Sequence, residues 1–308
     1  MALVGRLDQP LQRRGGGVSY RRPVSPGRVG VYVLLLLGAT VSLLPFVYML
    51  MASVKSYSSV VNNTLWPWPP FGTESIQFQN YALAVQAIGF DRGSGTPLLV
   101  RYLANSVVVS IGIVFGSLFT SVLAAYALAK LNVPGKNLLF LFVLAVIMVP
   151  EDATLVPKVV MMYNLKWYNT YLALIVPFTV NVFGIFLLRQ WFLQIPKELY
   201  EAAVMDGMGH IRYLISIVIP LSKPAMLTVA LLSFIWSWDS FKWPLLVTRD
   251  SSMRVLGVGL QQFKGGEGGT NVQLLMAFAT FVVLPVIIFY FLAQKQFREA
   301  VTTVGIKG

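Results

Sequence analysis

The sequence of 308 residues contains no cysteine and a single histidine. The absence of cysteine excludes disulfides, thiol catalysis and thiolate metal sites, and one histidine leaves almost no soft metal ligand. Charged residues are also scarce: they make up 12% of the chain, about half of their usual share in a soluble domain. A water-soluble enzyme is therefore excluded, and we expect neither catalytic residues nor a bound cofactor or metal on this chain.

Long apolar runs dominate the sequence instead. Hydrophobic residues account for 56% of the chain, and its mean hydropathy is +0.69. A helix needs about 20 mostly apolar residues to cross a bilayer. The sequence therefore predicts an all-α, polytopic helical membrane protein with about six spans, at approximately 29–52, 103–129, 138–157, 171–189, 221–247 and 272–294.

Two of these spans are irregular. Pro150, Glu151 and Asp152 interrupt the apolar run of the third span, which is the weakest of the six. The fifth span contains Asp239 and Lys242. Residues three apart on a helix share a face, so we expect these two charges to form a structural pair.

The basic residues indicate an orientation. Lys and Arg number 24 against 12 Asp and Glu, and most of the basic residues lie on one side of the membrane if six spans start from an inside N-terminus. Positively charged loops remain in the cytoplasm. We therefore expect residues 1–28 to form a flexible, basic cytoplasmic tail, residues 29–308 to form the transmembrane domain, and both termini to be cytoplasmic.

The loop between the fourth and fifth spans, residues 189–224, is longer than a connector requires. Pro196 suits the start of a helix there, and two glutamates suit its positive N-terminal end. Paired alanines make one helix face thin, and Asp206 with Gly207 allows the chain to turn out of the helix. Such a helix is suited either to a groove on another protein or to the surface of the lipid headgroups.

A motif in this loop resembles the E-A-A-x3-G-x9-I-x-L-P loop of the membrane subunits of ATP-binding-cassette importers. The matching positions, with Ile219 where leucine is usual, are Glu201, Ala202, Ala203, Gly207, Ile217 and Pro220. By this resemblance the segment, including Asp206, forms a coupling helix that docks into a cleft on a separate ATPase subunit.

Further segments are similar to carbohydrate importers in particular. Residues 237–245 resemble the S-W-N-D-F-x-W-P-L segment of sugar permeases, with Asp239-Ser240 in place of Asn-Asp, and the C-terminal residues 305–308 resemble the family's G-x-x-K-G ending. The resemblance is to the smaller membrane subunit of maltose importers. It implies an inner-membrane permease whose partners are a second homologous permease, two ATPase subunits that use the ATP, and an extracytoplasmic sugar-binding protein.

Other transport mechanisms remain as alternatives. The sequence has no phosphate-binding loop, so ATP hydrolysis must take place on a partner. An ion-coupled secondary transporter is the main competitor, although such carriers tend to place ionisable residues within their spans. An importer of a non-sugar solute such as glycerol phosphate is a further alternative, whereas a passive pore would not explain the docking loop.

Four residues are candidates for contact with the solute. Sugars bind through hydrogen bonds and aromatic rings, which selects Asn181 near the middle of the fourth span and Trp236, Trp238 and Asp239 in the fifth. For each tryptophan, helix packing or an interfacial position is the favoured alternative. The second permease is a further possible source of most of the binding site.

The loop from Thr248 to Asn271 is predicted to contact an external partner protein. Its glycines, Gly265, Gly266, Gly268 and Gly269, fit a thin, mobile finger, and its position resembles that of the family loop that enters the binding protein's cleft. A disordered connector is the alternative.

Two isolated polar residues have simpler expected roles. Asn105 caps a helix or bonds across helices, and His210 is a polar surface residue.

Overall fold

The computed structural model of the chain describes residues 26–61, 76–91, 93–264 and 271–305. Within them the structure is helical, with one isolated bridge between Phe90 and Pro97 and no strand. The α-helices are α1 (Pro26–Ser53), α2 (Tyr57–Val61), α3 (Gln79–Ile88), α4 (Leu98–Lys130), α5 (Lys136–Ala145), α6 (Glu151–Asn164), α7 (Tyr171–Ile175), α8 (Val182–Gln194), α9 (Lys197–Met205), α10 (His210–Tyr213), α11 (Ile219–Leu221), α12 (Lys223–Trp238), α13 (Lys242–Val247), α14 (Leu256–Gly259) and α15 (Val272–Gly305). Short 3₁₀ turns occupy Val146–Met148, Val176–Phe178, Ser251–Met253 and Leu260–Phe263, and Leu214–Val218 is a π-helix.

The chain divides into two compact units, Met1–Val47 and Tyr48–Gly308. In the first unit, the large apolar side chains of α1 from Val29 onward are exposed, as expected of a helix that meets lipid. The second unit contains the remaining helices and every site described below.

In the described part of the chain, three helices are long and apolar enough to cross a membrane alone: Val29–Ser53, Leu98–Lys130 and Val272–Phe291. Three further segments are pairs of helices, bent by 95° (Lys136–Met148 with Glu151–Asn164), 41° (Tyr171–Phe178 with Val182–Gln194) and 79° (His210–Leu221 with Lys223–Trp238). The described chain has six spans if each bent pair crosses once. A helical, polytopic membrane protein is therefore confirmed, while the boundaries of the six spans stay predictions.

The bend in the third segment has a local cause. Proline disfavours the helical conformation of the residue before it, and Val149 is extended, with φ −79° and ψ 117°. Pro150 then precedes α6, whose first turn contains Glu151 and Asp152. Carboxylates are favourable at the positive end of a helix. The residues that interrupt the apolar run of the third span therefore form a corner between two helices.

Helix α4 lies at the centre of the second unit and packs against α8 and α12. The contact is close because Gly184 in α8 has no side chain. A Cβ there would lie 2.7 Å from Ser121 Oγ of α4 and 3.0 Å from Val229 Cγ1 of α12. Small residues let membrane helices approach closely, and here one glycine joins three helices.

Three apolar clusters of described residues complete the core. The first connects α4 and α8 with α9, α10 and α12, and includes Ala203 and Tyr213. The second connects α3, the start of α4, the end of α12 and α15. The third connects the middle of α4 with α6, α7 and α13. The loop between the fourth and fifth segments is therefore packed onto the helix bundle rather than detached from it.

Candidate functional site

The predicted coupling segment is a helix, α9 (Lys197–Met205). Pro196 precedes it with φ −55°, close to the value at which the proline ring fixes a helix start. Glu198 lies in the first turn, where a carboxylate stabilises the helix dipole. At the other end Asp206 follows the last helical residue, and Gly207 has φ +75°. Glycine adopts this left-handed conformation without a steric penalty, so the chain turns out of the helix where the sequence indicated.

The two sides of α9 differ in exposure. Ala203 is only 3% exposed and packs into the first apolar cluster. Glu201, Ala202 and Asp206 are exposed, and Met205 is 89% exposed. The paired alanines thus face different ways. Ala203 allows α9 to approach the helix bundle, and Ala202 belongs to a surface that the described residues leave open.

Sequence reasoning missed an aromatic group beneath α9. The ring of His210 is stacked on that of Tyr200, with centroids 5.3 Å apart and planes 14° apart. Its Nε2 atom lies 3.2 Å from the Tyr200 hydroxyl, and its Nδ1 atom lies 3.1 Å from the Tyr126 hydroxyl of α4. His210 is exposed as expected, but it also joins two helices. No local pattern signals this, because Tyr126 is 84 residues away along the chain.

Tyr213 completes this aromatic group. Its ring meets that of Tyr200 edge-on at 5.1 Å, its side chain is fully buried, and its hydroxyl has no hydrogen-bond partner among the described residues. Tyr213 belongs to the first apolar cluster, and Tyr200 packs against that cluster, so the aromatic group anchors α9 to the helix bundle.

The last two predicted coupling positions lie beside a bend. Ile217 belongs to the π-helix Leu214–Val218 and packs against the first apolar cluster, whereas Pro220 lies exposed in α11. A π-turn is a rare local widening that occurs frequently at functional sites. The bend of 79° into α12 follows directly, so the π-helix connects the loop after α9 to a change in helix direction.

An open cavity of about 800 Å³ lies between the third and fifth segments. Two of the four predicted solute-contact residues, Trp236 and Asp239, line it. The Trp236 ring is 43% exposed and packs on Phe178, with centroids 4.7 Å apart. The remaining lining includes both carboxylates of the third-segment corner, Lys242 and Trp243, so the cavity combines aromatic surface with charge.

The expected pair between Asp239 and Lys242 is wrong. Helix α12 ends at Trp238 and α13 begins only at Lys242, so the two residues do not share a helix and the spacing of three no longer places them on one face. Lys242 Nζ instead lies 3.1 Å from Asp152 Oδ1 of α6. Both side chains are exposed at the cavity, which leaves Asp239 without an ion pair among the described residues.

The other two solute-contact candidates have structural partners. Asn181 is the N-cap of α8: its Oδ1 accepts from the Gly184 backbone N–H at 2.9 Å, and its Nδ2 donates to Ser233 Oγ of α12 at 3.1 Å. Trp238 is 4% exposed, and its indole N–H donates to the Val282 carbonyl at 3.0 Å. Trp238 therefore has the packing environment that was the alternative to solute contact.

The predicted binding-protein loop, Gly265 to Gly269, lies outside the described residues, but the chain leading to it is fixed. Asn105 is 3% exposed, and its Nδ2 donates to the carbonyls of Ser252 and Arg254, at 2.8 Å each. Its Oδ1 accepts from the Tyr171 hydroxyl at 2.6 Å. The expectation that Asn105 bonds across helices is thus correct, and its partners Ser252 and Arg254 belong to the described part of the segment that precedes the glycines.

Known proteins resemble this chain over most of its length. A family model described as the binding-protein-dependent transport system inner membrane component matches residues 112–303. The arabinooligosaccharides transport system permease protein AraQ of Halalkalibacterium halodurans is 31% identical, over 88% of this chain and 93% of the relative. The sn-glycerol-3-phosphate transport system permease protein UgpE of Brucella abortus is 30% identical, over 90% and 96% respectively.

A solved structure agrees with this assignment. A crystal structure of a bacterial ABC transporter involved in the import of the acidic polysaccharide alginate has a chain that matches with a TM-score of 0.72 and 25% identity, over 90% of this chain and 98% of that chain. The resemblance to a transport permease, inferred from the loop motif, is confirmed, and the family consists of transport subunits rather than enzymes. This chain belongs to the family of binding-protein-dependent transport system inner membrane components.

Proposed function

We propose that this chain is a permease subunit of an ATP-driven carbohydrate importer of the cell inner membrane. With a second, homologous permease it forms the path of a di- or oligosaccharide. Two separate ATPase subunits supply the energy, and an extracytoplasmic binding protein delivers the sugar. The observation that carries this proposal is α9: it bears the family's coupling motif and presents an exposed face at Glu201, Ala202 and Met205.

The position of α9 also suggests how ATP hydrolysis moves the solute path. The ATPase cleft receives the exposed face of α9, and closure of the ATPases displaces this helix. The π-helix and the bend beside Pro220 pass the displacement to α12. The far end of α12 presents Trp236 to the cavity, so tilting this helix changes the cavity without any covalent chemistry on the permease.

The lining of the cavity favours a neutral sugar over an anionic solute. Among the described residues, it contains three carboxylates, Glu151, Asp152 and Asp239, against one ammonium, Lys242. A phosphate ester is repelled by this negative surface, whereas hydroxyl groups donate to carboxylates, and a sugar ring can lie on Trp236. The arabino-oligosaccharide relative therefore suggests the solute class better than the glycerol phosphate relative does.

The remaining parts of the proposal concern the two membrane faces. The loop with Gly265, Gly266, Gly268 and Gly269 contacts the binding protein, and Asn105 holds the segment that precedes it through Ser252 and Arg254. Both termini are cytoplasmic, which places α9 on the side where ATP is available.

An ion-coupled transporter is not favoured, because the family match is to a binding-protein-dependent system.

Uptake by the purified complex in proteoliposomes tests the proposed function. With the binding protein outside and ATP inside, we expect accumulation of arabinotriose but not of sn-glycerol 3-phosphate. Omission of the ATPase subunits should abolish uptake, and a protonophore should leave it unchanged. Full uptake without an ATPase would overturn the mechanism, while uptake of the phosphate ester alone would overturn only the solute class.

A further inference from the structure

Two side chains of α4 contact the chain on opposite sides of the coupling helix. Tyr126 and Lys130 are four residues apart, so they project from the same face of α4. Lys130 Nζ donates to the Ile195 carbonyl oxygen at 2.8 Å. Ile195 closes α8 and lies two residues before α9 begins. A charged donor on a backbone carbonyl is stronger than a neutral hydrogen bond, so α4 fixes the point at which the chain enters α9.

The second contact lies where the chain has left α9. The Tyr126 hydroxyl lies 3.3 Å from the His210 carbonyl oxygen, to which it donates, and 3.1 Å from His210 Nδ1. The Tyr126 hydroxyl has one proton, which it donates to the His210 carbonyl oxygen. His210 Nδ1 must therefore be the donor in its own contact with the Tyr126 hydroxyl. A neutral histidine then accepts at Nε2, where the Tyr200 hydroxyl lies at 3.2 Å. Every donor in this chain of contacts meets an acceptor.

Tyr200 extends the second contact into α9 itself. It belongs to α9 and stacks on the His210 ring. The helix is therefore connected to α4 at its entry through Lys130, and at its exit and middle through Tyr126, His210 and Tyr200. The covalent route from α9 to α12 is less direct, because it passes through the π-helix and a bend of 79°.

We infer that Tyr126, Lys130 and His210 are positioning residues that fix α9 to the C-terminal end of α4. An ATPase-driven displacement of α9 then moves α4 with it, in addition to α12. Helix α4 packs against both α8 and α12, so the displacement reaches the centre of the bundle directly. This inference rests on the proposed function of α9, but the attachment of α9 to α4 can be measured without any ATPase.

Paired spin labels test the attachment. The natural chain has no cysteine, so Met205→Cys on α9 and Leu123→Cys on α4 provide a clean pair, and both side chains are exposed, by 89% and 46%. In the full-length chain in liposomes, we expect one narrow distance distribution. The double variant Tyr126→Phe with Lys130→Met should broaden it, and Lys130→Arg, which keeps a charged donor, should leave it narrow.

Matched variants separate attachment from general damage. Tyr163→Phe alters an exposed tyrosine of α6, and Lys136→Met removes a contact from Lys136 Nζ to the Leu131 carbonyl, which is not part of α9. Neither should change the distance distribution. A broad distribution in the unmodified background, or a narrow one in the Tyr126→Phe, Lys130→Met double variant, would overturn the inference.

The coupling ratio provides a second readout in the assembled complex. Mutations along a coupling route alter the coupling between the two sites, so we expect the double variant to hydrolyse roughly two to thirty times more ATP per arabinotriose imported. His210→Phe keeps the stacked ring but loses both nitrogen contacts, and should have a similar effect. If the double variant and His210→Phe both hydrolyse as much ATP per sugar imported as the unmodified complex, transmission through α4 is refuted. This holds even where ATP-driven uptake itself is normal.

Discussion

At the scale of single residues, two neighbouring glycines that look alike in the sequence differ in the structure. Gly207 has φ +75°, whereas Gly209 has φ −81° and ψ 168°, which any residue adopts. A Cβ at either position would have nothing within 4 Å. Steric space is therefore equal, and only the backbone conformation separates them.

The pair gives a direct test of the turn after α9. A left-handed conformation costs an L-residue about 1–2 kcal/mol, so Gly207→Val should distort the exit from α9 and reduce ATP-driven uptake while ATPase activity persists. Gly209→Val adds the same side chain without this strain and should retain nearly full uptake. Equal uptake by the two variants, measured in proteoliposomes at equal protein content, would contradict a functional role of the turn.

The tryptophans at 236 and 238 provide a second contrast. Trp238 is 4% exposed, so Trp238→Ala should lower stability by about 3–5 kcal/mol and reduce the apparent Tm of the detergent-purified chain. Trp236 is 43% exposed in the cavity, so Trp236→Ala should leave Tm nearly unchanged and raise the KM for sugar uptake. A large Tm loss at Trp236 without a change in KM would remove this residue from the solute path.

At the scale of elements, the packing of α4, α8 and α12 depends on one position. A Cβ at Gly184 would meet both Ser121 and Val229 at 3.0 Å or less. Overpacking of this kind costs about 1–3 kcal/mol, so Gly184→Val should lower Tm and the yield of folded protein. Ala104→Val adds two methyl groups on an exposed face of the same α4 and should be tolerated. A lower Tm for Ala104→Val than for Gly184→Val would contradict this packing.

The elements also mark where sequence reasoning reached its limit. The apolar runs identified α1, α4 and α15 because length and composition are sufficient for a continuous membrane helix. Proline does not separate these helices from the other three segments, because α1 and α15 also contain one, at Pro45 and Pro285. The bends of the other three depend on what each half packs against. The fifth segment shows the consequence: α12 ends at Trp238, inside the predicted span, so the expected pair of Asp239 and Lys242 does not form.

At the scale of the whole molecule, the proposed mechanism requires one orientation in the membrane. Gly93 and Asn132 are exposed at opposite ends of α4. In the cysteine-free chain, Gly93→Cys should react in intact cells with a maleimide that permeates the outer layers but not the inner membrane. Asn132→Cys should react only after lysis. The reverse pattern would place α9 away from cytoplasmic ATP and contradict the proposed coupling.

The sequence alone determined that the protein lies in a lipid bilayer, that it is helical, and which family it belongs to. Each of these depends on local information, such as the length of an apolar run or a motif contained in 20 residues. Tertiary structure decided which distant residues meet. Lys242 pairs with Asp152, 90 residues away, and Tyr126 meets His210, 84 residues away. Such contacts depend on how helices bend and pack, and neither hydrophobic periodicity nor residue spacing contains that geometry.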